Sequence, residues 1–165
     1  MENHGSVVTS IGIIMADLRL IDIDPETGEV TFVADRLDVP LTERESALQR
    51  VVVALMTTPG SMIEEPTWGG GARQLFLMTR PVRDNESRMR MAHVVRRAEE
   101  SILESEDDNG EYTIVSVKFI DFARLPRGLS AELLVEFSGG QSELLTFPVR
   151  PLDVEVDERT HVNDR

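Results

Sequence analysis

The sequence contains no cysteine, and only one tryptophan and one tyrosine occur among its 165 residues. Without thiols the chain forms neither disulfides nor cysteine-based metal sites, and a catalytic cysteine is excluded. The three histidines, His4, His93 and His161, include no pair at the short spacing of a metal site. No serine or aspartate is placed by the sequence to work with His93, which we interpret as an ordinary helix residue. We therefore predict no catalytic residue, no metal and no cofactor, and a protein that is not an enzyme.

Basic residues are also scarce, with 17 Lys plus Arg against 30 Asp plus Glu and a formal net charge of −13. A surface of this sign repels a phosphate backbone, so we expect no direct binding to nucleic acid. The apolar runs 11–16 and 51–56 fall far short of the ~20 residues that a bilayer crossing needs. The first ten residues hold Glu2 and no basic residue, unlike the start of a signal peptide. We expect a soluble protein that is made in the cytoplasm and has no membrane partner.

The spacing of apolar residues and turn residues divides the chain into one domain and two arms. A single α+β domain is predicted over residues 15–151, since a chain of this length suffices for one hydrophobic core. Residues 1–14 and 152–165 lack strong periodicity, and we expect them to be arms that become ordered on a partner.

Strands are predicted at both ends of this domain. An N-terminal β-hairpin over 15–34 turns at 24–28, where Pro25 presets φ and Gly28 supplies a positive φ. The C-terminal part alternates apolar and polar residues, most clearly over 129–137, and predicts a three-stranded antiparallel meander. Because strands and helices are segregated along the chain, the order indicates an α+β fold. The three strands of the meander are expected over 112–122, 129–137 and 142–149.

Two main helices are predicted between the hairpin and the meander. Thr42 is followed three residues later by Glu45, the spacing of a capping box, and an apolar-periodic run continues to Met56. The turn residues 57–60 stop this helix because Pro59 disfavours α geometry at the residue before it. The second helix is expected from about Asp84 to Glu104, with its apolar residues on one stripe.

An irregular Gly/Pro-rich loop over 61–80 separates the two helices. Its Trp68 and the glycines 69–71 do not form a phosphate loop, because the Gly-Lys-Ser/Thr ending is missing and no strand precedes them. Three consecutive glycines are more typical of a tight reversal or of the close approach of another backbone, with Trp68 as a packing plug. Glu64 and Glu65 are adjacent, and side chains on neighbouring residues diverge unless the backbone is unusual. We therefore interpret them as surface carboxylates and not as the facing pair of a glycoside hydrolase.

Acidic residues crowd the C-terminal end of the second predicted helix, although that end of the helix dipole prefers cations. Two interpretations stay open. The run is either a solvated face or a docking surface for a basic element on another chain, which would relieve the repulsion. The residues concerned are Glu99, Glu100, Glu104, Glu106, Asp107, Asp108 and Glu111.

The segment 55–77 resembles the small baseplate wedge proteins of contractile phage tails, a "lysozyme-like" sheath-initiator family related to a subunit of the type VI secretion baseplate. In that family a helix ends at a Thr-x-x-Gly turn, and a Pro-aromatic-Gly step and a short Leu-rich helix follow. The same order is found here in Thr57 or Thr58 with Gly60, in Pro66, Trp68 and Gly69, and in 75–77. We call Thr57 or Thr58, together with Gly60, Pro66, Trp68 and Gly69, the wedge motif.

The resemblance covers roughly residues 42–149 and has one clear departure. The family often carries a Glu-Pro-Arg triplet after the long helix, where it joins larger wedge subunits. This chain has Glu-Asp-Asp-Asn at 106–109 instead, which leaves that wedge contact open. The hairpin is not a fixed feature of the family and is interpreted as an attachment element of this lineage.

The resemblance implies a structural subunit of a virion tail baseplate, assembled in the host cytoplasm. This subunit links wedge proteins to the first layer of tail sheath and helps to initiate sheath assembly. Its implied partners are other wedge proteins, the sheath protein and proteins near the hub and tube, and its exposed strands are expected to accept a strand from a sheath arm. An acidic oligomeric adaptor and a carboxylate-dependent muramidase are the alternatives, and the sequence leaves open whether the particle is a phage tail or a bacterial injection machine. The residues expected to bind partners are Glu65, Pro66, Trp68, Gly69, Gly70, Glu104, Glu106, Asp107 and Asp108.

Overall fold

The computed structural model of the protein describes five parts of the chain. These are residues 19–33, 39–73, 85–105, 110–125 and 128–151. The two predicted arms and the Leu-rich run 75–77 lie outside the described residues.

The described elements confirm the predicted α+β fold, with an N-terminal hairpin, two helices and a C-terminal three-stranded antiparallel sheet whose strands are adjacent in chain order. The strands of the hairpin are shorter than expected, at three residues each. A single turn of 3-10 helix, Gly110–Tyr112, precedes the sheet. The elements are β1 (Ile21–Ile23), β2 (Val30–Phe32), α1 (Glu43–Met56), α2 (Asn85–Ser105), β3 (Ile114–Leu125), β4 (Gly128–Phe137) and β5 (Ser142–Pro151).

The turn between β1 and β2 forms at the predicted residues. One carboxylate oxygen of Asp24 accepts the backbone N–H groups of Glu26 at 2.8 Å and Thr27 at 3.0 Å. These two hydrogen bonds lower the pKa of Asp24 below its usual value because they stabilise the charged form. Gly28 has a φ of +68°, which a glycine adopts without strain. The hairpin is therefore fixed by local chemistry that the sequence already shows.

The hairpin is attached both to the sheet and to α1. The backbone N–H of Thr146 in β5 donates to the Gly28 carbonyl at 2.8 Å, and a parallel bridge joins Glu29 to Thr146. On its other side, the buried Gln49 of α1 accepts the backbone N–H of Leu20 at 2.7 Å. The hairpin is thus a separate two-stranded sheet that lies beside β5 and, within the described residues, is joined to it by a single bridge.

Helix α1 begins at the predicted capping box. The Thr42 hydroxyl accepts the Glu45 N–H at 3.2 Å, and the Glu45 carboxylate accepts the Thr42 N–H at 2.9 Å. Burial alone would raise the pKa of Glu45, but hydrogen bonds from Thr42 and from Arg19 outweigh it and lower the pKa. The reciprocal bonds satisfy two backbone donors that the first turn would otherwise leave unpaired.

The core lies between the two helices and one face of the sheet. Helix α2 lies along β3, because Glu99 accepts the Val117 N–H at 3.0 Å and Arg88 pairs with Asp121 at 2.8 Å. Helix α1 is tied to β5 by a bidentate pair between Arg44 and Glu143, at 2.6 and 2.8 Å. The largest fully buried side chains include Leu48, Leu55, Met91, Ile102, Ile114, Leu133, Leu145 and Phe147.

Candidate partner-binding surface

The glycines 69–71 pass between α1 and α2 and bond to both helices. All three are buried, and so is Ala72 that follows them. Each glycine donates its backbone N–H to a neighbouring helix or to its C-terminal cap, so the segment is held at three successive residues. The bonds run from Gly69 to the Ser101 hydroxyl (3.0 Å), from Gly70 to the Ala54 carbonyl (2.8 Å) and from Gly71 to the Thr57 carbonyl (3.0 Å).

No side chain fits at the first two of these glycines. A Cβ on Gly69 would lie 2.3 Å from the Thr57 carbonyl oxygen, and the φ of Gly69 is +107°. A Cβ on Gly70 would lie 2.7 Å from the Val94 carbonyl oxygen. The interpretation of the glycines as a place where another backbone comes close agrees with this geometry. Trp68, directly before them, is half-buried and packs against the core, as a plug would.

The segment between α1 and these glycines forms a compact surface loop whose ends are close together. The Gly60 N–H donates to the Pro66 carbonyl at 2.7 Å and so closes the neck of the loop. Every residue from 60 to 67 is exposed. We call this segment the 60–67 loop.

Two large apolar side chains lie in this loop. Met62 is 41% exposed and Ile63 is fully exposed, at 100%. Loops on a fixed scaffold are frequent binding sites. Exposed apolar side chains at the tip of such a loop indicate a contact with a partner more strongly than the polar residues around them do. Neither residue was predicted from the sequence to bind a partner. The sequence feature that could have identified Met62 and Ile63 is that they form an apolar pair inside a segment of turn residues. Neither helical nor strand periodicity explains an apolar pair at this place.

The structure separates the residues predicted to bind partners in this part of the chain. Glu65 and Pro66 are exposed on the 60–67 loop. Gly69 and Gly70 are buried against the protein's own helices, so their contacts are intramolecular. Trp68 has its backbone N–H bonded to the Glu65 carbonyl at 3.1 Å and presents only part of its surface.

The acidic end of α2 is only partly free for a partner. Glu99 bonds to the backbone of β3, and Glu100 pairs with Arg96 one turn earlier at 3.0 Å. Glu104 is exposed in a last turn that contains no basic residue. The predicted binding residues Glu106, Asp107 and Asp108 lie outside the described residues. The docking interpretation of this run therefore stays a prediction.

Both edges of the described sheet have intramolecular partners. On β5 the hairpin takes the Thr146 N–H, and Pro148 has no N–H to offer. On β3 the Glu99 carboxylate takes the Val117 N–H, and register shifts leave two extra, exposed residues at Val115 and Ile120. Bulges and covered backbone groups hinder the addition of another strand. A strand from a partner would meet obstacles at both edges.

Other features with chemical potential are dispersed over the described residues. A polar cavity of about 350 Å³ lies at the start of α1, lined in part by Thr42, Arg50 and Tyr112. His93 is exposed on α2, and Glu64 lies with Glu65 on the exposed loop. No group of three potential metal ligands occurs among the described residues. None of the described helices is long and apolar enough to span a membrane.

Neither a protein-family model, nor a curated protein, nor a solved structure matches the chain. The resemblance to the baseplate wedge family therefore depends on the wedge motif and on the order of the elements around it.

Proposed function

We propose that the protein is a structural subunit of a contractile-tail baseplate, where it links wedge proteins to the first layer of sheath. The observation that carries the proposal is the way in which the wedge motif folds. Its five residues form one junction between the two helices, and the 60–67 loop projects from that junction.

Four of the five motif residues have contacts that define their place in this junction. The Thr57 hydroxyl donates to the Val53 carbonyl at 2.8 Å and caps α1. Gly60 and Pro66 close the loop through their 2.7 Å hydrogen bond. Gly69 fits under the Thr57 carbonyl only because it has no side chain. The spacing of these residues fits the geometry of the junction, and the proposal depends on the likeness of this spacing to the pattern of the wedge family.

A subunit that transmits force between rings needs its layers tied together, and the described fold supplies such ties. The bidentate pair between Arg44 and Glu143 joins α1 to β5, and its hydrogen bonds lower the pKa of Glu143. The pair between Arg88 and Asp121 joins α2 to β3. Because both sheet edges are obstructed, contacts through the loop and the acidic surface are favoured over strand addition to the described sheet.

Deletion of the gene in the organism that encodes it tests the proposal. We expect particles without the protein to lack an ordered sheath, while their tubes still form. Electron microscopy would score the sheath, and mass spectrometry of purified wild-type particles would measure the protein against known tail subunits. Normally sheathed particles after deletion would contradict the proposal, as would absence of the protein from wild-type particles.

The deletion experiment and a peptidoglycan assay together separate the alternatives. An adaptor unrelated to tails would be recovered with a partner outside any particle, and the sheath would assemble without it. A muramidase would release fragments from purified peptidoglycan, and Glu64→Gln or Glu65→Gln would abolish that release. Peptidoglycan left intact by the full-length protein would exclude the muramidase.

A further inference from the structure

The tip of the 60–67 loop exposes apolar surface that contributes little to folding. Ile63 is fully exposed, so its side chain buries nothing in the described fold. Burial of an isoleucine side chain is favourable, and on this residue the whole of that gain is left for a partner. Met62 beside it is 41% exposed and has a flexible thioether chain that adapts to an irregular pocket.

The loop is already held in a fixed shape before any partner arrives. Its neck is closed by the bond from Gly60 to Pro66, and the Ser61 N–H donates to the Thr58 carbonyl at 3.0 Å. The glycines that follow are bonded between the two helices. A preorganised loop loses little backbone entropy on binding, so more of the burial energy of its tip remains as affinity.

The charges around the tip restrict what can cover it. Glu64 and Glu65 follow Ile63 directly, and no Lys or Arg occurs from Gly60 to Trp68. An anionic membrane would repel these carboxylates, and a second copy of a chain with net charge −13 would do so as well. A pocket on another protein with Lys or Arg at its rim is complementary both to the apolar tip and to its acidic flank.

We propose that Met62 and Ile63 insert into an apolar pocket, rimmed by basic residues, on a different protein. The identity of the partner rests on the proposed function: in a baseplate, the protein with this pocket is a larger wedge subunit. The loop would act as a plug that fixes the position of the domain on that subunit, and the two glutamates would pair with the rim.

The first test replaces Ile63 by serine in the full-length protein and measures its incorporation into particles. We expect at least a tenfold loss, because about 1.4 kcal/mol of lost burial corresponds to a factor of ten in binding. The melting temperature should stay within about 2 °C of the wild type, since surface substitutions of this kind change stability little. Met89→Ser is the matched control, because Met89 is 73% exposed but lies on α2, and it should be incorporated normally.

The second test places a photo-reactive amino acid at position 63 and, as a control, at position 89. Irradiation of producing cells should cross-link position 63 to one other protein, within an apolar peptide that carries Lys or Arg. Replacement of both Glu64 and Glu65 by glutamine should weaken this cross-link. No specific cross-link, a cross-link to a second copy, or co-sedimentation of the protein with phosphatidylglycerol vesicles would overturn the inference.

The two tests distinguish failure of the inference from failure of the proposed function. Wild-type protein in particles together with undiminished incorporation of Ile63→Ser would overturn the inference and leave the baseplate role standing. Wild-type protein that is absent from particles would contradict the baseplate role. In that case the cross-link at position 63 alone decides the inference, since it reports any protein partner with the stated chemistry.

Discussion

Alanine substitutions at three glycines measure how the junction between the two helices is held together. Gly60, Gly69 and Gly70 belong to the same connection but differ in what an added Cβ would meet. Gly60 has a φ of +86° and nothing within 4 Å of a built Cβ, so Gly60→Ala adds backbone strain alone. Gly70 does not have a positive φ, but a Cβ added to it would lie only 2.7 Å from the Val94 carbonyl oxygen. Gly70→Ala therefore adds crowding alone. Gly69→Ala adds both.

The expected losses of stability follow from this division. A left-handed conformation costs an L-residue roughly 1–2 kcal/mol, which is partly offset by the lower entropy of alanine in the unfolded chain, so we expect about 1 kcal/mol for Gly60→Ala. Overpacking costs about 1–3 kcal/mol, which is the expectation for Gly70→Ala. For Gly69→Ala the 2.3 Å approach to the Thr57 carbonyl oxygen adds to the strain. We expect about 3–4 kcal/mol there, or a fall in melting temperature of about 10 °C.

Thermal and urea unfolding of the three variants, followed by circular dichroism, would give these values. The order of destabilisation should be Gly69→Ala first, then Gly70→Ala, then Gly60→Ala. Equal losses for Gly69→Ala and Gly60→Ala would refute the reasoning, because the Thr57 carbonyl would then not restrict the site. An unchanged stability of Gly70→Ala would show that the glycines do not pass closely between the helices.

Three further predictions concern the ties between elements. Hydrogen bonds from Arg44 lower the pKa of Glu143 below its ordinary value, so the stabilisation that this carboxylate gives the fold is complete above the pKa of the unfolded state. It is lost as the pH falls through the lowered pKa of the folded state. Glu143→Gln should therefore lower the free energy of unfolding by about 1–2 kcal/mol at pH 7 and flatten the acid limb of a stability–pH curve. Glu100→Gln is the control and should leave the free energy of unfolding and the acid limb nearly unchanged. Equal curves for the two variants would contradict this prediction. Thr42→Ala should cost about 1 kcal/mol in urea unfolding, since α1 loses its capping box, and Thr42→Ser should restore most of it. Gln49→Leu leaves the partly buried N–H of Leu20 without its acceptor, so amide exchange in the hairpin should rise well above that in α2. An unaltered exchange pattern would count against this tie between the hairpin and α1.

Much of the fold could be predicted from the sequence because local chemistry determines it. The capping box of Thr42 and Glu45 and the turn at 24–28 depend on residues within a few positions of one another, and both formed where expected. The meander followed from alternating apolar residues, which are buried together on one face of a sheet.

The candidate site was predicted less completely, and the reason is again physical. Turn residues and glycines marked the connection between the helices as unusual, but they do not tell which of its residues face solvent. Gly69 and Gly70 were expected to bind a partner, yet the helices of the protein itself cover them. Glu99 had the pattern of a surface charge, yet it bonds to the backbone of β3.

The sequence by itself determined the order and type of the elements, the acidic character of the surface and the residues that shape each turn. Only the tertiary structure decided that the hairpin lies against β5, that the glycines 69–71 lie between two helices, and that Ile63 is left fully exposed. Hydrogen bonds across a turn or a cap link neighbours in the chain, so their partners can be read from spacing. Burial depends on residues that are distant in the chain, and these come together only when the helices pack on the sheet.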